Sequence, residues 1–245
     1  IGTDGNGAKL YRSDLTPAGT WMVAPPGANT GGGFINTAAA STQLFGAAYL
    51  PGTGYELWKS DGATAGGTLL VKDINPGVNS STPSNITALG NSIIFTADDG
   101  VHGIEVWVSD GTETGTAMLK DIKPGTATSN ARNFFSAFGK VYFNADDGTN
   151  GSCLWVTDGT SAGTKIIKKI EHFNWAASGG LIYLIANNPK FGYEIWQTDG
   201  TADGTLLVSD KDAGTNGYAY GPLVKSGSYL YFAGSSGAYL SRMIP

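Results

Sequence analysis

Acid–base and nucleophilic chemistry needs groups that titrate near neutrality, or carboxylates held in unequal pairs. This sequence offers two histidines, one cysteine and 20 carboxylates in 245 residues. Most of the carboxylates recur on a fixed spacing. Asp14, Asp61, Asp110, Asp158 and Asp199 each end a short apolar run, and Glu56, Glu105 and Glu194 each stand two residues before a tryptophan. Asp73, Asp121 and Asp210 close the run that follows, while Asp98, Asp99, Asp146 and Asp147 form Asp-Asp turns. Fifteen of the 20 thus follow one period, which points to turn chemistry. A turn Asp accepts hydrogen bonds from its own backbone, and the glycine that follows supplies positive φ. A catalytic pair would break the period, and none stands out, so no catalytic residue is assigned and no enzymatic activity is expected.

The remaining candidates are few. Asp98 and Asp99 with Glu105 offer hard oxygen ligands near one turn, the donor type Ca²⁺ takes, but not at EF-hand spacing. They are a candidate calcium site, with pairing of Glu105 to a lysine as the plainer reading; no other cofactor is expected. His102 and His172 are 70 residues apart with no nucleophile in a recognised order. Cys153 takes the place of the periodic glutamate and reads as a small buried side chain. Trp58, Trp107, Trp155 and Trp196, with Tyr11 in the first copy, recur at one position and read as wedges between sheets. Trp21, Phe173, Trp175, Tyr218 and Tyr220 fall outside the period, in or near links, and are the candidate contacts for a ligand or partner.

The elements that carry these residues follow from the repeat. The aromatics at 11, 58, 107, 155 and 196 are spaced by 47, 49, 48 and 41 residues, and a Gly-Thr pair follows each. Within residues 131–170 four short runs, rich in aromatic and β-branched residues, are separated by Gly139, Asp146-Asp147-Gly148 and Asp158-Gly159. Runs of about five or six residues between such turns are strands. The second run of each copy, as in Ile93-Ile94-Phe95, is apolar on successive residues and so must be covered on both faces. Four-stranded antiparallel sheets repeated at this period and stacked face to face make a β-propeller.

Copies fall near 1–27, 28–75, 76–123, 124–170, 171–212 and 213–245, all within one expected domain, 1–245. The first supplies third and fourth strands, and the last supplies a first and second. Joining them predicts five blades, with the ring closed by both termini. A further strand-like stretch, Gly237–Ser241, competes for that place and leaves six blades, one incomplete, as the alternative. The chain starts and stops inside a repeat, which reads as a piece of a longer, processed polypeptide.

Composition removes several classes. Charged residues are 14% and net charge is −5, with 15 scattered basic residues, so a nucleic-acid partner is not expected. No apolar run reaches the roughly 18 residues of a membrane span. One cysteine excludes an intrachain disulfide and CxxC metal knuckles.

The stretches Glu56–Gly62, Glu105–Thr112 and Glu194–Thr201, with Cys153–Thr160 lacking the Glu, resemble the ELWxxDGT repeat of large secreted and surface proteins of bacteria. The Val71-Lys72-Asp73-Ile74 and Leu119-Lys120-Asp121-Ile122 tails match as well. The resemblance implies an exported, extracellular or cell-surface protein with a propeller-like array, and no single activity. Together these readings predict a non-catalytic structural, adhesive or protein-interaction module that contacts a protein or copies of itself. The alternatives are a lectin-like propeller that binds glycans, an accessory subunit docked on a larger complex, and a glycan-active enzyme using a central funnel.

Overall fold

The computed structural model describes residues 2–3, 8–23, 34–62, 67–209, 219–227, 229–234 and 240–243. All 22 regular elements among them are β-strands, and none is a helix able to cross a membrane. Contacts divide the chain into two units, Ile1–Ala131 and Arg132–Pro245.

The first unit holds three antiparallel sheets. Strands β1 (Gly2–Thr3), β2 (Ala8–Arg12) and β3 (Trp21–Val23) form one of three strands. A meander of β4 (Ile35–Ala40), β5 (Gln43–Leu50), β6 (Gly54–Ser60) and β7 (Thr68–Lys72) forms the next. The third is β8 (Ser84–Leu89), β9 (Ser92–Asp98), β10 (Ile104–Ser109) and β11 (Ala117–Lys120).

The second unit repeats the plan. Its first sheet is β12 (Arg132–Ala137), β13 (Lys140–Asp146), β14 (Ser152–Thr157) and β15 (Lys165–Lys168). Its second is β16 (Glu171–Ser178), β17 (Leu181–Asn188), β18 (Gly192–Thr198) and β19 (Leu206–Ser209). Strands β20 (Ala219–Ser226), β21 (Tyr229–Gly234) and β22 (Leu240–Met243) complete it.

Within each unit the sheets pack face to face, a propeller-like arrangement. Phe45 and Leu57 of one sheet meet Ile93, Phe95 and Trp107 of the next in a single buried cluster. In the second unit Phe135, Tyr142 and Leu154 meet Ile182, Leu184 and Trp196 in the same way. Strands β9, β13 and β17 each bury five consecutive residues, as strands covered on both faces must. Every tryptophan of the repeat follows a register shift, between Leu57 and Trp58, Val106 and Trp107, Leu154 and Trp155, and Ile195 and Trp196. Such a bulge re-aims the side chain that follows it. Each indole buries about 150–250 Å², worth roughly 4–6 kcal/mol at ~25 cal/mol per Å² before ordering costs.

Among the described residues the expected joint sheet from the two termini is not seen. Strand β22 pairs with β21 from Leu230↔Met243 to Ala233↔Leu240, and so takes the edge that a returning N-terminal strand would need. The described residues form four four-stranded sheets and two three-stranded ones.

A second set of bulges lies in the first strand of every sheet after the first, in β4, β8, β12, β16 and β20. Asn36, Asn85 and Asn133 adopt φ of 51°, 53° and 57°, a conformation that Asn tolerates better than most residues. Their amides donate to the first strand of the following sheet or its lead-in. Asn36 reaches Pro83 O at 3.3 Å, Asn85 reaches Ala131 O at 3.3 Å, and Asn133 reaches His172 O at 3.0 Å. Asn174 reaches Gly221 O at 2.8 Å. Lysines add a second tie: Lys72 Nζ donates to Thr116 O at 2.8 Å and Lys168 Nζ to Thr205 O at 2.6 Å. Replacing Asn85 with Ala is expected to cost about 1–2 kcal/mol, since it loses the clasp and strains the positive φ. Asn85→Gly, which relieves only the strain, should cost less in urea unfolding.

Candidate functional site

The periodic aspartates build loops. Around Asp110, the Thr112 backbone N–H and hydroxyl both donate to Oδ1, at 2.8 and 2.7 Å, and the Thr112 hydroxyl oxygen accepts from Gly115 N at 2.9 Å. Asp14, Asp158 and Asp199 repeat this with Thr16, Thr160 and Thr201. These threonine hydrogen bonds hold the Asp14, Asp110, Asp158 and Asp199 carboxyls below the ordinary range. Asp61 starts the equivalent turn, its N–H donating to Gly67 O at 3.2 Å. Gly115 and Gly163 are glycine because the turn carboxylate occupies the place of a Cβ. Under each loop two hydroxyls meet, as in Ser109 with Thr116 and Thr198 with Thr205, both at 2.7 Å.

The glutamates are buried staples. Glu56, 0% exposed, accepts from Ile74 N at 2.8 Å, Ser81 N at 2.8 Å and the Ser81 hydroxyl at 2.5 Å. Glu105, also 0% exposed, accepts from Ile122 N at 3.0 Å and Lys123 N at 3.4 Å. Burial raises both carboxyls, Glu105 to about 7.

Glu105 is therefore committed away from the Asp98–Asp99 turn. Asp98 accepts there from Gly100 N at 2.7 Å, while Asp99 holds Val101 N, His102 N and His102 Nδ1. The three calcium candidates do not converge, and no group of three or more His, Cys, Asp or Glu among the described residues could hold a metal ion. His102 is raised by its bond to Asp99.

Trp58, Trp107, Trp155 and Trp196 are 3–6% exposed and lie in the core. Tyr11, at the same place in the first copy, is 46% exposed. Of the non-periodic aromatics, Trp21 is 36% exposed on β3, with the Arg12 guanidinium 5.0 Å above its ring. Phe173 and Trp175 are 41% and 40% exposed on β16. Trp175 stacks on Phe135 at 4.4 Å, and Phe173 tilts against Tyr193 at 5.2 Å. Packing from behind fixes both rings while leaving each partly open to solvent, so this strand presents an aromatic surface on the second unit. Tyr220 lies on β20, with its side chain outside the described residues, and Tyr218 lies outside them altogether.

His172 is not a surface residue. It is 1% exposed, and its backbone N–H and C=O pair with the Asn144 side-chain amide at 3.2 and 2.7 Å. Its Nε2 faces Asn133 O at 3.0 Å while Nδ1 is without a partner. Burial lowers it to about 4. Cys153 is buried, its thiol raised by desolvation. Among the described residues, neither imidazole is bonded to a hydroxyl or thiol that it could activate.

No family model matches the chain, and no curated protein matches it. Solved structures do. A puromycin hydrolase complexed with PGG shares the fold over 98% of this chain and 40% of its own, at 14% identity and a TM-score of 0.58. Another puromycin hydrolase structure matches over 93% of this chain and 38% of its own, at 14% identity and a TM-score of 0.55. What is shared is the fold. The chain spans about 40% of the length of these hydrolases.

The expectation of a structural or adhesive surface module is corrected here: the two solved structures named above that share the fold are puromycin hydrolases.

Proposed function

We propose that this chain is a propeller-like β domain that works with a peptidase-type hydrolase and offers a contact surface to a peptidic substrate. The observation that carries the reading is the fold match over 98% of the chain to 40% of a puromycin hydrolase. That proportion suits one part of a hydrolase's work rather than the whole. The aromatic surface of β16 supports it, since rigid, partly open rings bind amide planes and apolar side chains at low entropic cost. The repeat resemblance supports an exported bacterial setting.

The test is a fluorescence titration of the purified chain with puromycin and with N-blocked dipeptide amides. Saturable quenching is expected, with binding weakened about tenfold, the equivalent of ~1.4 kcal/mol, by Trp175→Ala. Absence of saturable binding to any of these compounds, or binding untouched by Trp175→Ala, overturns the reading.

A further inference from the structure

The repeat breaks most clearly at the seam between β1–β3 and β4–β7, and the break leaves a hole. At other seams the glycine of the turn rests on a ring from the second strand of the preceding sheet. A Cβ on Gly111 would meet Phe45 Cζ at 3.1 Å, and one on Gly200 would meet the Tyr142 hydroxyl at 2.6 Å. In the first sheet the second-strand place is taken by β1, only two residues long. Gly62 rests instead on the stem of Arg12, whose Cδ would lie 3.1 Å from its Cβ. Tyr11 is likewise turned out where later copies bury tryptophan.

The result is a cleft of about 470 Å³, within the size range of small-molecule sites. Leu10, Val23 and Leu44 give it an apolar lining, Arg12 brings a guanidinium, and Asp61 lies at the turn beside Gly62. Arg12 is held in place from two sides, by a bond from Nη1 to Gly62 O at 2.6 Å and by the Trp21 ring. Guanidinium groups carry five donors, and a single bond to a carbonyl leaves enough of them to grip a carboxylate through two.

We propose that this cleft binds a ligand bearing a carboxylate beside a small branched apolar group, the chemistry of a peptide's C-terminal residue or a short aliphatic acid. The carboxylate meets Arg12, and the apolar group sits among Leu10, Val23 and Leu44. The proposal goes beyond the hydrolase reading and stands on different residues, so a failure here leaves the Trp175 titration to be judged by itself.

The experiment is an NMR titration of the ¹⁵N-labelled chain with N-acetyl-leucine, N-acetyl-leucinamide and isovalerate. Shifts at the Thr42 and Gly62 amides are expected with the acids, at least tenfold weaker with the amide. Arg12→Met should abolish the preference for acid over amide, and Arg12→Lys should keep part of it. Ala39→Phe, which fills the cleft without touching Arg12, should remove binding of all three. Tighter binding of N-acetyl-leucine than of isovalerate assigns peptide termini, and equal binding assigns simple aliphatic acids; both support the shared chemistry. Equal binding of acid and amide, shifts away from the cleft, or no shifts at millimolar concentration overturn it.

Discussion

Lowering the pH from 7 towards 4 is expected to loosen residues 132–245, with amide exchange rising first along β12 and β16. The cause is His172. A carbonyl oxygen only accepts, so the contact from Nε2 to Asn133 O puts the ring proton on Nε2. Nδ1 is then a bare lone pair, and protonating it would place an N–H among Phe135 and its neighbours with nothing to receive it. The charged groups beside it are Arg132 on β12 and Glu171 on β16, which pair with one another, and Arg132 further disfavours the imidazolium. The folded value of about 4 lies below the ordinary 6.5, so the unfolded chain binds more protons between those two values. Stability is therefore complete above pH 6.5 and is lost as pH falls through that window, by at most about 3.5 kcal/mol at ~1.4 kcal/mol per unit. His172→Gln, whose amide can still donate to Asn133 O, should flatten the profile. Urea midpoints at several pH values, with exchange mass spectrometry to locate the opening, decide it. An unchanged slope in His172→Gln would sink the assignment.

In residues 2–131 the sign should be reversed. Glu105 is raised to about 7, mainly by burial, so between 4.5 and 7 the folded state binds more protons than the unfolded one. Its contribution favours the folded state at acid pH and declines as pH rises through that window, again by at most about 3.5 kcal/mol. Glu56 is shifted in the same direction. Glu105→Gln should remove this dependence. Glu105→Ala should cost roughly 3 kcal/mol at pH 5, because it strands the Ile122 and Lys123 backbone N–H groups and leaves a void. Urea unfolding of the three proteins at pH 5 and pH 8 tests both statements. A wild-type first unit more stable at pH 8 than at pH 5 would refute the carboxylate's role.

The division of the fold into meanders was legible because its signals are local. Trp107 and Asp110 mark a strand end and a turn wherever they recur, and the apolar run Ile93–Phe95 reports cover on both faces. Termini were harder, since pairing there depends on a competition between edges: β22 takes the edge of β21, and a pattern of strand-like runs does not rank rivals. The chemistry of Glu105 was read at the wrong range. A carboxylate beside an Asp-Asp turn looks like an ion site, and only its position inside the sheet shows that it serves the backbone of Ile122. The exposure of Phe173 and Trp175 was anticipated from their lying outside the period, whereas the burial of His172 was not. The break at Tyr11 was visible as an eroded copy, but a missing partner leaves no letter in a sequence, so the cleft beside it could not be seen.

The asparagine clasps bear on how such an array changes over generations. Each reaches forward to a main-chain oxygen, an acceptor that every residue type provides. Duplication or loss of one whole copy would therefore leave the remaining clasps served without compensating mutations elsewhere. Gly221, which accepts from the Asn174 amide, sits at positive φ like Asn36, Asn85 and Asn133.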